Sequence, residues 1–222
     1  VNSGSSANLI SVASLFYKNK NPLKKGDEVI VPTLSWSTTY YPLQQYGLKL
    51  RFVDIDIDTL NASVQNIIKA YTKKTKLIVA VNILGNPIEL SKLRSFCRSK
   101  KIYLMEDNCE SMGAKINGKF TGTFGIVNTF STFFSHHIST IEGGIILTND
   151  FEIYNLLLAL RSHGWTRDLL NNFYLKKNQT KYENYCFALP GYNVRTTNLN
   201  AAIGLEQLKK LNKLVKIRRK NH

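Results

Sequence analysis

Short apolar, β-branched runs alternate with stretches of helical periodicity from residue 5 to residue 105, and this alternation constrains the fold more than any other feature of the chain. The runs lie at 28–31, 49–53, 76–82 and 102–105, and the helical patterns between them at 5–17, 38–46, 62–71 and 90–99. A strand that is apolar along its length, rather than at every second residue, is buried on both faces, as in a parallel sheet covered by helices on either side. The expected class is therefore α/β, a mainly parallel mixed sheet between two helical layers. Shorter strands are expected at 129–134 and 144–148, a helix at 151–162, a polar loop rich in Asn and Lys at about 164–190, and a helix from 198 onward. In open parallel sheets, ligands gather at the carboxyl ends of the strands.

Charge narrows the partners only slightly. The chain has 30 Lys and Arg against 15 Asp and Glu, a net +15, which favours anionic ligands. The densest basic cluster is Lys209, Lys210, Lys213, Lys216, Arg218, Arg219 and Lys220, and it shares its helix with Leu205, Leu208, Leu211 and Leu214. Apolar residues at that spacing make the basic side a solvated helix face, and no nucleic-acid recognition signature accompanies it. Cys97, Cys109 and Cys186 are far apart with no C-x-x-C pair, so neither a disulfide framework nor a metal site is expected. No run approaches the ~20 apolar residues of a membrane span and no leader pattern opens the chain, so a cytoplasmic protein with reduced thiols is expected. The 222 residues, 43% of them hydrophobic, suffice for one domain with a buried core. They open on a glycine/serine cluster and stop inside a basic helical run, which reads as a piece of a longer protein.

Three segments carry candidate chemistry. Asn2-Ser3-Gly4-Ser5-Ser6-Ala7 precedes the first helix, where free N–H groups and the helix dipole can hold a phosphate; ordinary capping by Ser3 or Ser5 uses the same residues. Leu104 to Glu110 sets acids directly after an apolar strand, where a carboxylate can pair with a pyridinium nitrogen, cap a helix or bind a metal. The third is the loop at 131–144, STFFSHHISTIEGG, with two adjacent histidines.

The order of these segments, with VPTLSW at 31–36, EDNCESMGA at 106–114, RSHG at 161–164 and GYNVRTTNLNAAIGLEQL at 191–208, resembles the fold-type-I pyridoxal-phosphate enzymes of the nucleotide-sugar aminotransferase (DegT/StrS-type) family along the whole chain. In that family the fifth residue after the loop serine is the lysine that holds the cofactor as a Schiff base. Counting from Ser131 gives His136, which cannot form that bond but can move protons near neutral pH. Histidine at this position is similar to the sugar 3-dehydratase branch, and HHISTIEGG, RSHGWTR and LPGYNVR most resemble the members acting on GDP-4-keto-6-deoxymannose. The iron-sulfur-like histidine branch carries added cysteines that this chain lacks.

The resemblance implies a large domain of that fold, spanning residues 1–222 and running into the long helix that leads to a C-terminal small domain. It implies pyridoxal or pyridoxamine phosphate as cofactor, with Gly4, Ser5 and Ser131 at the phosphate, Trp36 stacked on the ring, Asp107 at the ring nitrogen and Glu110 by the ring hydroxyl. Asn193 would reach the phosphate of a neighbouring subunit in a homodimer with a shared active site, and Arg195 the sugar-nucleotide side. His136 would be the catalytic base. The implied reaction removes the C3 hydroxyl of a nucleotide-linked 4-keto-6-deoxy sugar, with L-glutamate restoring the amine cofactor, in deoxysugar synthesis for O-antigen-type polysaccharide. An aminotransferase that retains the amino group on the sugar, or a non-catalytic cofactor-binding protein, are the alternatives.

Overall fold

The hydroxyl of Ser3 accepts the N–H of Ser6 and caps α1 (Gly4–Phe16), whose residues Ala7, Ile10, Val12, Ala13 and Leu15 are all buried. The computed structural model describes residues 1–176 and 185–221. After α1 come β1 (Glu28–Pro32), α2 (Ser37–Gln45), β2 (Lys49–Val53), α3 (Val64–Ala70), β3 (Thr75–Val81), α4 (Leu90–Lys100) and β4 (Tyr103–Asp107). A small hairpin, β5 (Lys115–Ile116) and β6 (Lys119–Phe120), precedes β7 (Val127–Ser131), β8 (Gly144–Leu147) and α5 (Phe151–Leu160). The described chain closes with α6 (Asn198–Leu208) and α7 (Leu211–Asn221). Ser63, Asp150 and Thr197 cap α3, α5 and α6 by accepting a first-turn N–H.

The main sheet has the order β2-β1-β3-β4-β7-β8. Its first five strands are parallel neighbours, and β8 runs antiparallel to β7. Alternate residues of each central strand enter different cores, as the pleat requires. Val29, Val31, Leu77, Val79 and Met105 pack with α1, α2 and α5, whereas Ile30, Ile78, Ala80 and Leu104 pack with α3 and α4. Both faces are covered, giving the expected three layers. Each fully buried Leu or Ile contributes roughly 2 kcal/mol of hydrophobic stabilisation, which is why the central strands need no alternation of polar residues.

Three expectations are corrected. The strand at 129–134 ends at Ser131, because the N–H of Thr132 turns to the carbonyl of Gly143 and the chain folds over so that His136 N–H meets the carbonyl of Phe133. The helix at 62–71 begins only at Val64, since Ala62 bridges Ile55 and Ser63 serves as the cap. The helix from 198 is broken after Leu208, where Lys210 N–H bonds the carbonyl of Gln207 and a second helix starts. Within the expected loop at 164–190, Trp165 bridges Phe187, and residues 177–184 lie outside those described.

Candidate active site

Asp107 ends β4 at the carboxyl edge of the sheet, 5% exposed, and its surroundings define the site. Asn8, a polar residue inside the apolar face of α1, donates through Nδ2 to Asp107 Oδ2 at 2.8 Å. Thr39 of α2 donates to the same oxygen at 2.8 Å, and the N–H of Cys109 reaches Oδ1 at 3.2 Å. Thr129 on β7 donates to Asn8 Oδ1 at 2.7 Å and so fixes the orientation of the amide. All these donors are neutral, and among the described residues no basic side chain forms an ion pair with Asp107. A buried carboxylate without a countercharge is costly and suits a cationic ligand group beside it.

The α1 N-terminus lies next to Asp107. In the first helical turn the N–H of Ser6 is used by the Ser3 hydroxyl and that of Ala7 by the Ser3 carbonyl, which leaves the N–H groups of Gly4 and Ser5 at the positive end of the dipole. Ser131, at the end of β7, approaches so closely that a Cβ on Gly4 would lie 2.7 Å from the Ser131 Cβ. Gly144 is equally constrained, because a Cβ there would lie 2.1 Å from the Ser3 carbonyl oxygen. Paired bonds between Val1 and Gly144, both at 2.9 Å, hold the start of the chain against β8.

Together these elements line a cavity of about 730 Å³. Gly4, Ser5 and Ser131 lie on its wall with Trp36, Asp107, Glu110 and His136, as do Ser35, Phe133, Ser135 and Glu142. Trp36, just before α2, is 72% exposed. The Glu110 carboxylate accepts the N–H of Leu84 at 2.8 Å, and Leu84 holds a left-handed φ of 52°. Burial keeps the His136 imidazole below its ordinary value; Glu110 and Asp107 pull it up and Arg218 pushes it down. Burial, with Arg218 and His136, lowers His137 to about 4. The Cys109 thiol is raised by burial and by Asp107 and Glu110, so it is no thiolate nucleophile.

The structure thus brings together seven of the nine residues singled out in the sequence. Asn193 and Arg195 are exposed and do not line this cavity; Arg195 Nη2 lies 3.5 Å from Asn193 Oδ1. Asn8, Thr39 and Thr129 went unrecognised, although Asn8 and Thr39 have a visible signal as polar residues at buried helix positions. Among the described residues no cluster of His, Cys, Asp or Glu could hold a metal, and no helix is long and apolar enough to cross a membrane.

The profile of the DegT/DnrJ/EryC1/StrS aminotransferase family matches residues 1–222. The chain belongs to that family. It is 54% identical over 224 residues to a GDP-4-keto-6-deoxy-D-mannose 3-dehydratase of Yersinia pseudotuberculosis, covering all of this chain and 57% of the relative. A solved GDP-4-keto-6-deoxymannose 3-dehydratase variant with bound GDP-perosamine superposes with a TM-score of 0.95 at 54% identity, over 100% of this chain and 58% of that one. A second, carrying a trapped PLP-glutamate geminal diamine, has a TM-score of 0.92 at 53% identity, over 96% and 56%. The chain therefore spans less than two thirds of these relatives, and its mostly parallel sheet flanked by helices is the fold of the fold-type-I aminotransferase-like proteins.

Proposed function

We propose that residues 1–222 form part of the cofactor-binding large domain of a 3-dehydratase. In this reading the enzyme uses pyridoxal and pyridoxamine phosphate to remove the C3 hydroxyl of a nucleotide-linked 4-keto-6-deoxy sugar, GDP-linked by analogy with the relatives, and L-glutamate restores the amine cofactor. One observation carries it: the cavity wall holds His136 and, among the described residues, no lysine.

The residues present fit the cofactor. The N–H groups of Gly4 and Ser5 and the hydroxyl of Ser131 form a small anion cradle, closed to any side chain larger than glycine at position 4. Asp107 would pair with the ring nitrogen and favour its protonated form, since its donors Asn8 and Thr39 are neutral and supply no countercharge. Trp36, on the cavity wall, would stack on the ring, and Glu110, tied to Leu84 N–H, would lie by the ring hydroxyl. When bound, the cofactor supplies a primary amine for the sugar ketone and an electron-withdrawing ring. His136 is uncharged at neutral pH because burial lowers its pKa, so its imidazole nitrogen can take a proton and deliver it to the oxygen leaving sugar C3. Among the described residues no lysine on the wall would hold the cofactor covalently.

A homodimer with shared sites completes the proposal. Asn193 and Arg195 are exposed and do not line this cavity, which fits residues that serve a neighbouring subunit's phosphate and sugar nucleotide, and in this reading a small domain follows α6 and α7. Such an enzyme works in the cytoplasm, beside its nucleotide-sugar and glutamate pools, and feeds deoxysugar into O-antigen-type polysaccharide. The test incubates the full-length protein with pyridoxamine phosphate, glutamate and GDP-4-keto-6-deoxymannose. A 3-deoxy keto sugar and free ammonia are expected; an amino sugar without ammonia overturns the reading in favour of transamination, and cofactor binding without turnover in favour of a non-catalytic role. In parallel, His136→Lys should gain a borohydride-trappable bond to pyridoxal phosphate, and failure to trap it removes position 136 from the cofactor.

A further inference from the structure

Two helices from the far end of the chain grip the loop between β7 and β8. Asn200, in the first turn of α6, donates through Nδ2 to the carbonyls of Thr140 at 2.6 Å and Glu142 at 2.8 Å. Arg218, on the last turns of α7, donates through Nη2 to the carbonyl of His136 at 3.3 Å and lies 3.5 Å from that of Ser135. Beside it, Arg219 donates to the carbonyl of Gly113 at 3.3 Å. Val215, one turn earlier, occupies the space of a Gly113 side chain, its Cγ2 2.7 Å from where a Cβ would be. α7 therefore lies across two segments of the site, one carrying His136 and one following Glu110.

We infer that Arg218 is a positioning residue for His136, fixing the peptide from which the imidazole reaches the cavity. The inference rests on the proposed role of His136 as the group that moves the proton. The acceptor is the carbonyl of His136 itself, so a shift of the guanidinium is passed directly to the ring, and a displacement of about 1 Å at a reacting group can cost roughly a hundredfold in rate. Asn200 holds the other limb of the loop, so the 135–137 segment can move without the β7–β8 hairpin opening. The charged and titratable groups around His136 are Asp107, Cys109 and Glu110 after β4, His137 and Glu142 on its own loop, and Arg218 on α7. Arg218 is the cation that opposes the two nearby carboxylates and helps keep the imidazole uncharged.

Three variants of the full-length protein test this: Arg218→Gln, Arg218→Lys and, as a control on the same helix, Arg219→Gln. The readouts are the NMR titration of His136 in cofactor-free protein, assigned against His136→Asn, and the pH profile of kcat. Arg218→Gln should lower kcat by about tenfold or more with KM changed less than about twofold, and should move both the His136 titration and the acid limb of kcat to higher pH. Arg218→Lys should keep the titration and recover part of kcat, and Arg219→Gln should leave both as in the wild type. An unmoved His136 titration in Arg218→Gln, or the same shift in Arg219→Gln, overturns the inference. If the wild type makes no 3-deoxy sugar while Arg218→Gln still moves the titration, the proposed reaction falls and the positioning role stands.

Discussion

Glu106 and Asp107 are consecutive on β4, 0% and 5% exposed, and the pleat sends them to opposite sides of the sheet. Glu106 enters the layer beneath the 121–125 turn, where Oε2 accepts the N–H of Gly122 at 2.7 Å and Oε1 accepts those of Phe124 at 2.7 Å and Gly125 at 2.8 Å. Its carboxyl is raised by burial, which those three bonds only partly oppose. Asp107 faces α1 and α2 and meets side-chain donors, with the cavity on its open side. An acid saturated by backbone N–H groups pins a turn; an acid held on one side by neutral side chains leaves its other side open to the cavity. The histidine pair repeats the lesson. His136 lines the cavity, whereas His137 next to it has a buried Nδ1 with no hydrogen-bond partner among the described residues.

The sharpest break between the acids is expected in Asp107→Asn. The amide keeps an oxygen for Asn8 and Thr39, so the urea midpoint should stay near that of the wild type, while kcat falls about a thousandfold or more, ~4 kcal/mol of barrier. A collapse of stability instead would make Asp107 a structural acid like its neighbour. Glu106→Ala should do the reverse. It orphans the N–H groups of Gly122 and Phe124, Gly125 keeping Asn128 Oδ1, at about 1–3 kcal/mol each and should cost roughly 2 kcal/mol or more in urea unfolding, with pyridoxamine phosphate affinity of the folded fraction unchanged. Weakened binding without lost stability would erase the distinction. The smallest effect belongs to His137, uncharged in the fold down to about pH 4 although a free histidine titrates at 6.5. Between those values the unfolded chain binds the extra proton, so stability should fall as pH falls through this window. Urea titrations of His137→Gln should show a shallower acid slope, and an unchanged slope would count His137 among the unperturbed residues.

The sheet was legible because its central strands are apolar on both faces, so 76–82 and 102–105 announce themselves without alternation. Asp107 was legible as an acid directly after an apolar strand, and Trp36 and Ser131 only through the family resemblance; the structure gathers all three on one cavity wall. Phe133 and Phe134 misled because aromatic residues favour strands, yet the chain has already turned there and Phe134 is 69% exposed. The break after Leu208 was hidden because Lys209 and Lys210 are as compatible with a helix as their neighbours. The partners of Glu106 lie 16 to 19 residues downstream and the acceptor of Arg218 lies 82 residues upstream, and no local periodicity encodes pairings at that distance.

The antiparallel return of β8 has one more consequence. Ser131 pairs with Gly144 and the N–H of Thr132 meets the carbonyl of Gly143, so the His136 loop is closed at its neck before it leaves the sheet. Position 136 is thus a fitting on a fixed mount: the neck is made by backbone groups at 131, 132, 143 and 144, whichever side chain position 136 carries.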